Sequence, residues 1–97
     1  MSQIIMKKDK VRSHPPLPLA VDSRLPEPLH AQLAEQIRWL VALGELKPGD
    51  RLPTVQELAD HLRVHRNTVA AVYAALQEEG YLVSRRGAGT FVADSET

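Results

Sequence analysis

The side chains best suited to chemistry stand in two short runs, Arg66-Asn67-Thr68 and Arg85-Arg86-Gly87-Ala88-Gly89. Arginine can bond O6 and N7 of guanine together, and asparagine can do the same with N6 and N7 of adenine. A threonine hydroxyl and the backbone N–H groups at a helix start suit phosphate, helped by the positive end of the helix dipole. Two adjacent arginines before Gly-Ala-Gly put cations at a hairpin tip, from which they can lie along a nucleic-acid backbone or enter a minor groove. Each run also has a plainer reading, a solvated helix start and a solubilising turn, because arginine is mostly exposed wherever it occurs.

Other chemistries find less support. His61 and His65 are four apart, a spacing that serves zinc on one continuous helix, but a turn interrupts them and no third ligand converges. His61 reads as a solvated helix residue and His65 as a helix cap, where Ser or Thr is usual. There is no cysteine, hence no disulfide scaffold, zinc ribbon or cysteine nucleophile. No nucleophile elbow, phosphate loop or facing carboxylate pair is present, so the chain reads as non-enzymatic, with no cofactor and no metal. Glu78-Glu79 reads as a solvated charge pair at a helix end.

The elements that must position these groups follow from periodicity. Residues 15–27 hold four prolines, with Pro28 directly after, and cannot form a helix interior; they read as an extended lead-in behind a disordered basic arm, 1–14. Leu29, Leu33, Ile37, Leu40 and Val41 share one helical face, and Gly44 followed by Pro48-Gly49 ends that helix. Thr54 with Glu57 three residues later makes a capping box, and Leu58, Ala59 and Leu62 form the buried side of a short helix. Arg63-Val64-His65 is a tight connection to a third helix, about 66–79, on which Val69, Val72, Leu76 and partly Tyr73 face inward. Taking ~100° per residue, Arg66, Ala70, Ala74 and Gln77 fall on the opposite side, with Asn67 flanking. Gly80 stops it, and strand-like runs 81–84 and 90–92 enclose a hairpin turn at 85–89. Helix, helix, tight turn, helix, hairpin is the order of a winged helix-turn-helix: mainly α with a small β-hairpin, spanning 28–92, with a tail at 93–97.

Composition sets the bounds. With 97 residues the chain makes one small domain. Twelve basic and twelve acidic residues balance, which excludes a histone-like cation. The balance hides a partition: Lys7, Lys8, Lys10 and Arg12 face Asp9 alone in the arm, whereas residues 15–50 carry three basic and five acidic groups. No apolar run reaches the roughly 18–20 residues of a membrane helix, and the N-terminus lacks signal-peptide order, so the expected setting is cytoplasmic with no membrane contact. Trp39 and Leu43 lie one turn apart, about 180–240° from Ile37 on the first helix. They read either as a casual surface pair, covered by the lead-in, or as a contact with a second subunit or further domain.

Taken together, the sequence resembles the GntR family of bacterial transcription regulators. The stretches that carry the resemblance are Pro28 to Ile37, Gly44 to Pro53, Glu57-Leu58-Ala59, Val64 to Val69, Tyr73, Leu76, Glu79 to Leu82 and Arg86 to Val92. It covers about 25–92, and many positions match at the right spacing. The resemblance implies a domain that binds a double-stranded operator as a homodimer, with Leu52-Pro53 as a short strand beside the wing. It also implies DNA contacts from Arg51, Thr54, Gln56, Arg66, Asn67, Thr68 and the Arg86-Gly87 wing, joined by Arg85 and the Ala70 position. His65 stands in place of the usual Ser or Thr, Ala70 where many members carry Arg, and Gln56 where several carry a basic residue; these departures are expected to weaken contacts or change the operator read. Members continue into an effector-binding or dimerising domain, so an effector is expected only where such a domain exists. Two alternatives stay open: a winged-helix protein-interaction module, favoured by zero net charge and an alanine-rich third helix, and the noncatalytic leader domain of a pyridoxal-phosphate-type regulator.

Overall fold

A computed structural model describes residues 18–94; the arm at 1–14, the first part of the lead-in and residues 95–97 lie outside the described residues. Three helices, α1 (Leu29–Ala42), α2 (Val55–Leu62) and α3 (Arg66–Glu78), precede two strands, β1 (Leu82–Arg85) and β2 (Gly89–Val92). Helix α1 starts directly after Pro28, whose carbonyl accepts from Gln32 N–H. Helix α2 starts at the expected capping box: Thr54 Oγ1 accepts from Glu57 N–H, and the Glu57 carboxylate accepts from Thr54 N–H. The ends are equally local. In α3, Gly80 N–H donates to the Gln77 carbonyl and Tyr81 N–H to the Leu76 carbonyl, a Schellman motif that needs the left-handed Gly80 (φ +91°). Helix α1 closes the same way, through Gly44 and Glu45 onto Val41 and Leu40.

Strands β1 and β2 pair antiparallel, Leu82 opposite Val92, Val83 opposite Phe91 and Arg85 opposite Gly89. The free edge of β2 takes a third segment. Leu52 N–H donates to the Thr90 carbonyl and Val92 N–H to the Asp50 carbonyl, each at 2.8 Å, which puts Arg51 opposite Phe91. The extra strand expected at Leu52-Pro53 is therefore centred one residue earlier. Pro53 has no N–H to give a ladder, and its carbonyl is used elsewhere, accepting from the Tyr73 hydroxyl at 2.7 Å.

Leu33 and Ile37 of α1, Leu58 of α2, Val69, Val72 and Leu76 of α3, Leu52, and Leu82 and Val92 of the wing close one core. Each large aliphatic side chain so buried contributes about 1.5–3 kcal/mol of transfer free energy. Tyr73 belongs fully to that core rather than partly, because its hydroxyl finds a carbonyl there. Leu40, Val41 and Leu62 lie at its margin.

Residues 18–27 form neither helix nor strand and strap onto α1. The side-chain amide of the buried Gln32 accepts from Asp22 N–H and donates to the Asp22 and Glu27 carbonyls. The amide of Gln36 pairs both ways with the backbone of Ala20, and Leu19 enters the core. An amide side chain can satisfy one N–H and one C=O at once, so two glutamines replace a ladder that this proline-rich segment cannot make. The expectation for Glu78-Glu79 needs correction: Glu79 forms a two-pronged pair with Arg38 of α1, at 2.8 and 3.1 Å. The hydrogen bonds from Arg38 hold its carboxyl below the usual range.

Candidate nucleic-acid interface

The helix-turn-helix is made by α2, the connection 63–65 and α3. The turn is tight because Arg63 adopts left-handed backbone (φ 59°), letting Val64 N–H reach back to the Ala59 carbonyl. His65 then caps α3: its Nδ1 accepts from Asn67 N–H at 3.2 Å, and its carbonyl accepts from Thr68 N–H. Two of the N–H groups expected to be available for phosphate are thus occupied by His65. Arg66 and Asn67 are exposed, whereas Thr68 is half-buried. Ala70 and Ala74 are exposed further along the helix and leave its outer face low. At the start of α2, Thr54 is engaged in its capping box, and the exposed Gln56 donates to Asp60 at 2.9 Å. Gln56 can reach a base only by giving up that partner.

The wing differs from the hairpin expected in one respect. Arg85 is the last residue of β1, not a residue of the tip. Its guanidinium lies over the Phe91 ring, 5.0 Å from the centroid. The tip is Arg86-Gly87-Ala88, closed by Ala88 N–H to the Arg85 carbonyl, with Gly87 at φ +79°. Positive φ at the third residue of a four-residue turn is where glycine serves best. Arg51, on the far side of β2, lies against Gly89: a β-carbon there would meet its Nε at 3.0 Å. The structure therefore brings Arg51 into the wing. Among the described residues none of Arg51, Arg66, Arg85 and Arg86 is in an ion pair, so these charges are not internally neutralised.

Gly89 and Phe91 were not singled out as site residues by the sequence. The alternation Gly89-Thr90-Phe91-Val92 carried the only signal, since it puts Gly89 and Phe91 on the face opposite the buried Val92. The remaining positions are simply placed. Trp39 of α1 and Leu43, its C-cap, are 57% and 66% exposed. The lead-in borders Trp39 in a shallow hollow shared with Gln32 and Gln36 but does not cover it. His61 is exposed in the last turn of α2.

A family profile described as "Bacterial regulatory proteins, gntR family" matches residues 29–92, from the first residue of α1 to the last of β2. The chain belongs to the GntR family. It is 47% identical over 75 residues to the probable rhizopine catabolism regulatory protein MocR of Rhizobium meliloti, a match covering 77% of this chain and 15% of MocR. It is 36% identical over 77 residues to the transcriptional repressor YtrA of Bacillus subtilis, covering 79% of this chain and 59% of YtrA. The chain thus spans about three-fifths of one curated relative and a small part of the other. Among solved structures it matches AraR(DBD) in complex with operator ORE1, with a TM-score of 0.66 and 34% identity over 75% of this chain and 89% of that one. The GntR winged helix-turn-helix is therefore the fold of residues 29–92, and the family is one of regulatory proteins rather than enzymes.

Proposed function

We propose that this chain is the operator-reading part of a GntR-type transcription regulator, most consistent with a repressor, that works as a homodimer in the cytoplasm. Helix α3 enters the major groove, and the wing follows the minor groove or the backbone. One observation carries the reading: the fold matches an operator-bound domain along nearly all of that domain's length, while Arg66 and Asn67 stand exposed at the start of α3. In this reading Arg66 and Asn67 contact bases. Thr68, Thr54, Arg51 and Arg85 contact phosphates, Gln56 and the low Ala70 surface border the groove, and Arg86 with Gly87 forms the wing tip. The domain proper is 28–92, preceded by the lead-in at 15–27 and the basic arm at 1–14, and followed by a tail at 93–97. An effector acts only through a further domain. Among the described residues no helix is long and apolar enough to cross a membrane.

The test is a selection from random duplex DNA at two salt concentrations, followed by titration of the selected sequence with Arg66→Ala/Arg86→Ala. Enrichment of a palindrome is expected, with half-sites about 34 Å apart or a multiple of it and binding that weakens steeply with salt. The double variant is expected to keep its fold and lose the site. Equal DNA binding by the variant and the native chain, or no enrichment even from an artificially dimerised chain, would move the assignment to a protein-interaction module.

A further inference from the structure

The outer face of the wing sheet holds two unneutralised guanidiniums in a fixed arrangement. Arg51, Phe91 and Val83 stand in one cross-strand row, and Gly89 and Arg85 in the next. Arg51 and Arg85 flank β2 on opposite sides, two inter-strand spacings across and two residues along, or about 12 Å apart at the backbone. Each leans inward onto β2. Arg51 lies over the bare backbone of Gly89, where a β-carbon would stand 3.0 Å from its Nε, and Arg85 lies over the Phe91 ring. Gly89 also answers to its own backbone, whose φ of +124° favours glycine, whereas Phe91 has no share in the buried side of the wing, which is Leu82 and Val92 on the other face. An aromatic ring left part-exposed beneath a cation restricts that cation's rotamers, and a glycine beside another gives it a bed. Two like charges on one sheet face without a carboxylate to pair them favour an anion, and on this domain the anion is the DNA backbone.

We propose that this face is a preformed phosphate-binding surface, in which Arg51 and Arg85 each take a backbone phosphate and Phe91 is the positioning residue that aims Arg85. The proposal rests on the operator-binding reading. It adds that the wing grips through its sheet face as well as its tip, and that the grip depends on a residue, Phe91, that itself touches no DNA.

The test titrates the full chain against a random-sequence duplex across a salt series, with Arg51→Ala, Arg85→Ala, Phe91→Leu, Phe91→Tyr and, as a reference outside the wing, Arg66→Ala. Removing either wing arginine is expected to lower the salt slope by about one. Phe91→Leu keeps every charge and is expected to weaken binding by about two- to fivefold, the factor that one exposed cation–ring contact represents. Phe91→Tyr, which retains the ring face, is expected to restore it. In the Phe91→Leu background, Arg85→Ala is expected to cost less than in the native chain. Thermal melts identify any variant whose loss is only a loss of fold. Native-like slopes for Arg51→Ala and Arg85→Ala, with Arg66→Ala still impaired, overturn the phosphate surface and leave the operator reading standing. Arginine slopes as expected with Phe91→Leu binding like the native chain overturn the positioning role. No duplex binding at low salt, even from an artificially dimerised chain, overturns both.

Discussion

Tyr73 connects α3 to the segment that completes the wing. Its hydroxyl donates to the Pro53 carbonyl at 2.7 Å inside the core, so its removal leaves a buried carbonyl without a partner. Tyr73→Phe is therefore expected to lower stability by about 1–2 kcal/mol in urea unfolding. Burial, with the negative charge of Glu57 adding to it, pushes the Tyr73 phenol well above its ordinary value. A phenol whose folded pKa is raised stabilises the fold fully below the unfolded value, about 10, and that stabilisation is lost as pH rises through the folded one. Above pH 10 the native chain should lose stability faster than Tyr73→Phe, and the two stability curves should converge. Parallel curves through that range would mean that Tyr73 ionises as readily in the folded state as in the unfolded one. At this scale the sequence was readable where one residue type has one local task, as with Thr54 and Glu57 at the start of α2 and His65 at the cap of α3. It was misleading where the task depends on a partner distant in the chain. Glu79 looked solvated until α1 brought Arg38 beside it, and Tyr73 looked half-exposed until Pro53 offered its carbonyl.

Among the elements, the turn between α2 and α3 is the one that stores strain. Arg63 is the only non-glycine described residue with positive φ. The left-handed conformation costs an L-residue roughly 1–2 kcal/mol, yet the connection needs it so that Val64 N–H can close α2 on Ala59. Arg63→Gly relieves that cost and gives part of it back as unfolded-chain entropy. The expected net is a gain of about 0.5–1 kcal/mol in denaturant midpoint experiments with the slope unchanged; a loss would show that the Arg63 side chain holds contacts worth more than the strain. The strength of local rules explains why the helices and their ends were legible, glycine stops and capping boxes being set within a few residues. The wing was legible as a hairpin but not in register. A shift of one residue decides whether Arg85 stands in a strand or at a tip, and that register is fixed by Leu82 and Val92 reaching the core together and by the 50–52 segment pairing along β2. The strap was the least legible element, since nothing local in Gln32 or Gln36 says that an amide will bond backbone ten or more residues earlier.

For the molecule as a whole, net charge sets the problem that assembly must solve. Binding to DNA follows the number of phosphates neutralised, and a chain with twelve basic and twelve acidic residues gathers few onto one duplex. Two linked copies engage two half-sites, and the second contact then forms at high effective concentration. Zero net charge also leaves no long-range repulsion between copies. For the proposed homodimer, the candidate surface is the outer face of α1, where Trp39 and Leu43 stand more than half exposed, with Tyr81 and Ala42 lining a hollow beside Trp39. A two-fold contact places the same patch on both partners, and tryptophan is the side chain that contributes most when buried at such a centre. The expected outcome is a concentration-dependent dimer of the native chain in sedimentation velocity and a monomer for Trp39→Ala/Leu43→Ala. In DNA titrations that variant should keep its affinity for a single half-site and lose most of its advantage on a palindrome, because its α3 and wing are untouched. Association unchanged by the double substitution would place the dimer contact elsewhere on the molecule and return Trp39 and Leu43 to the ordinary surface.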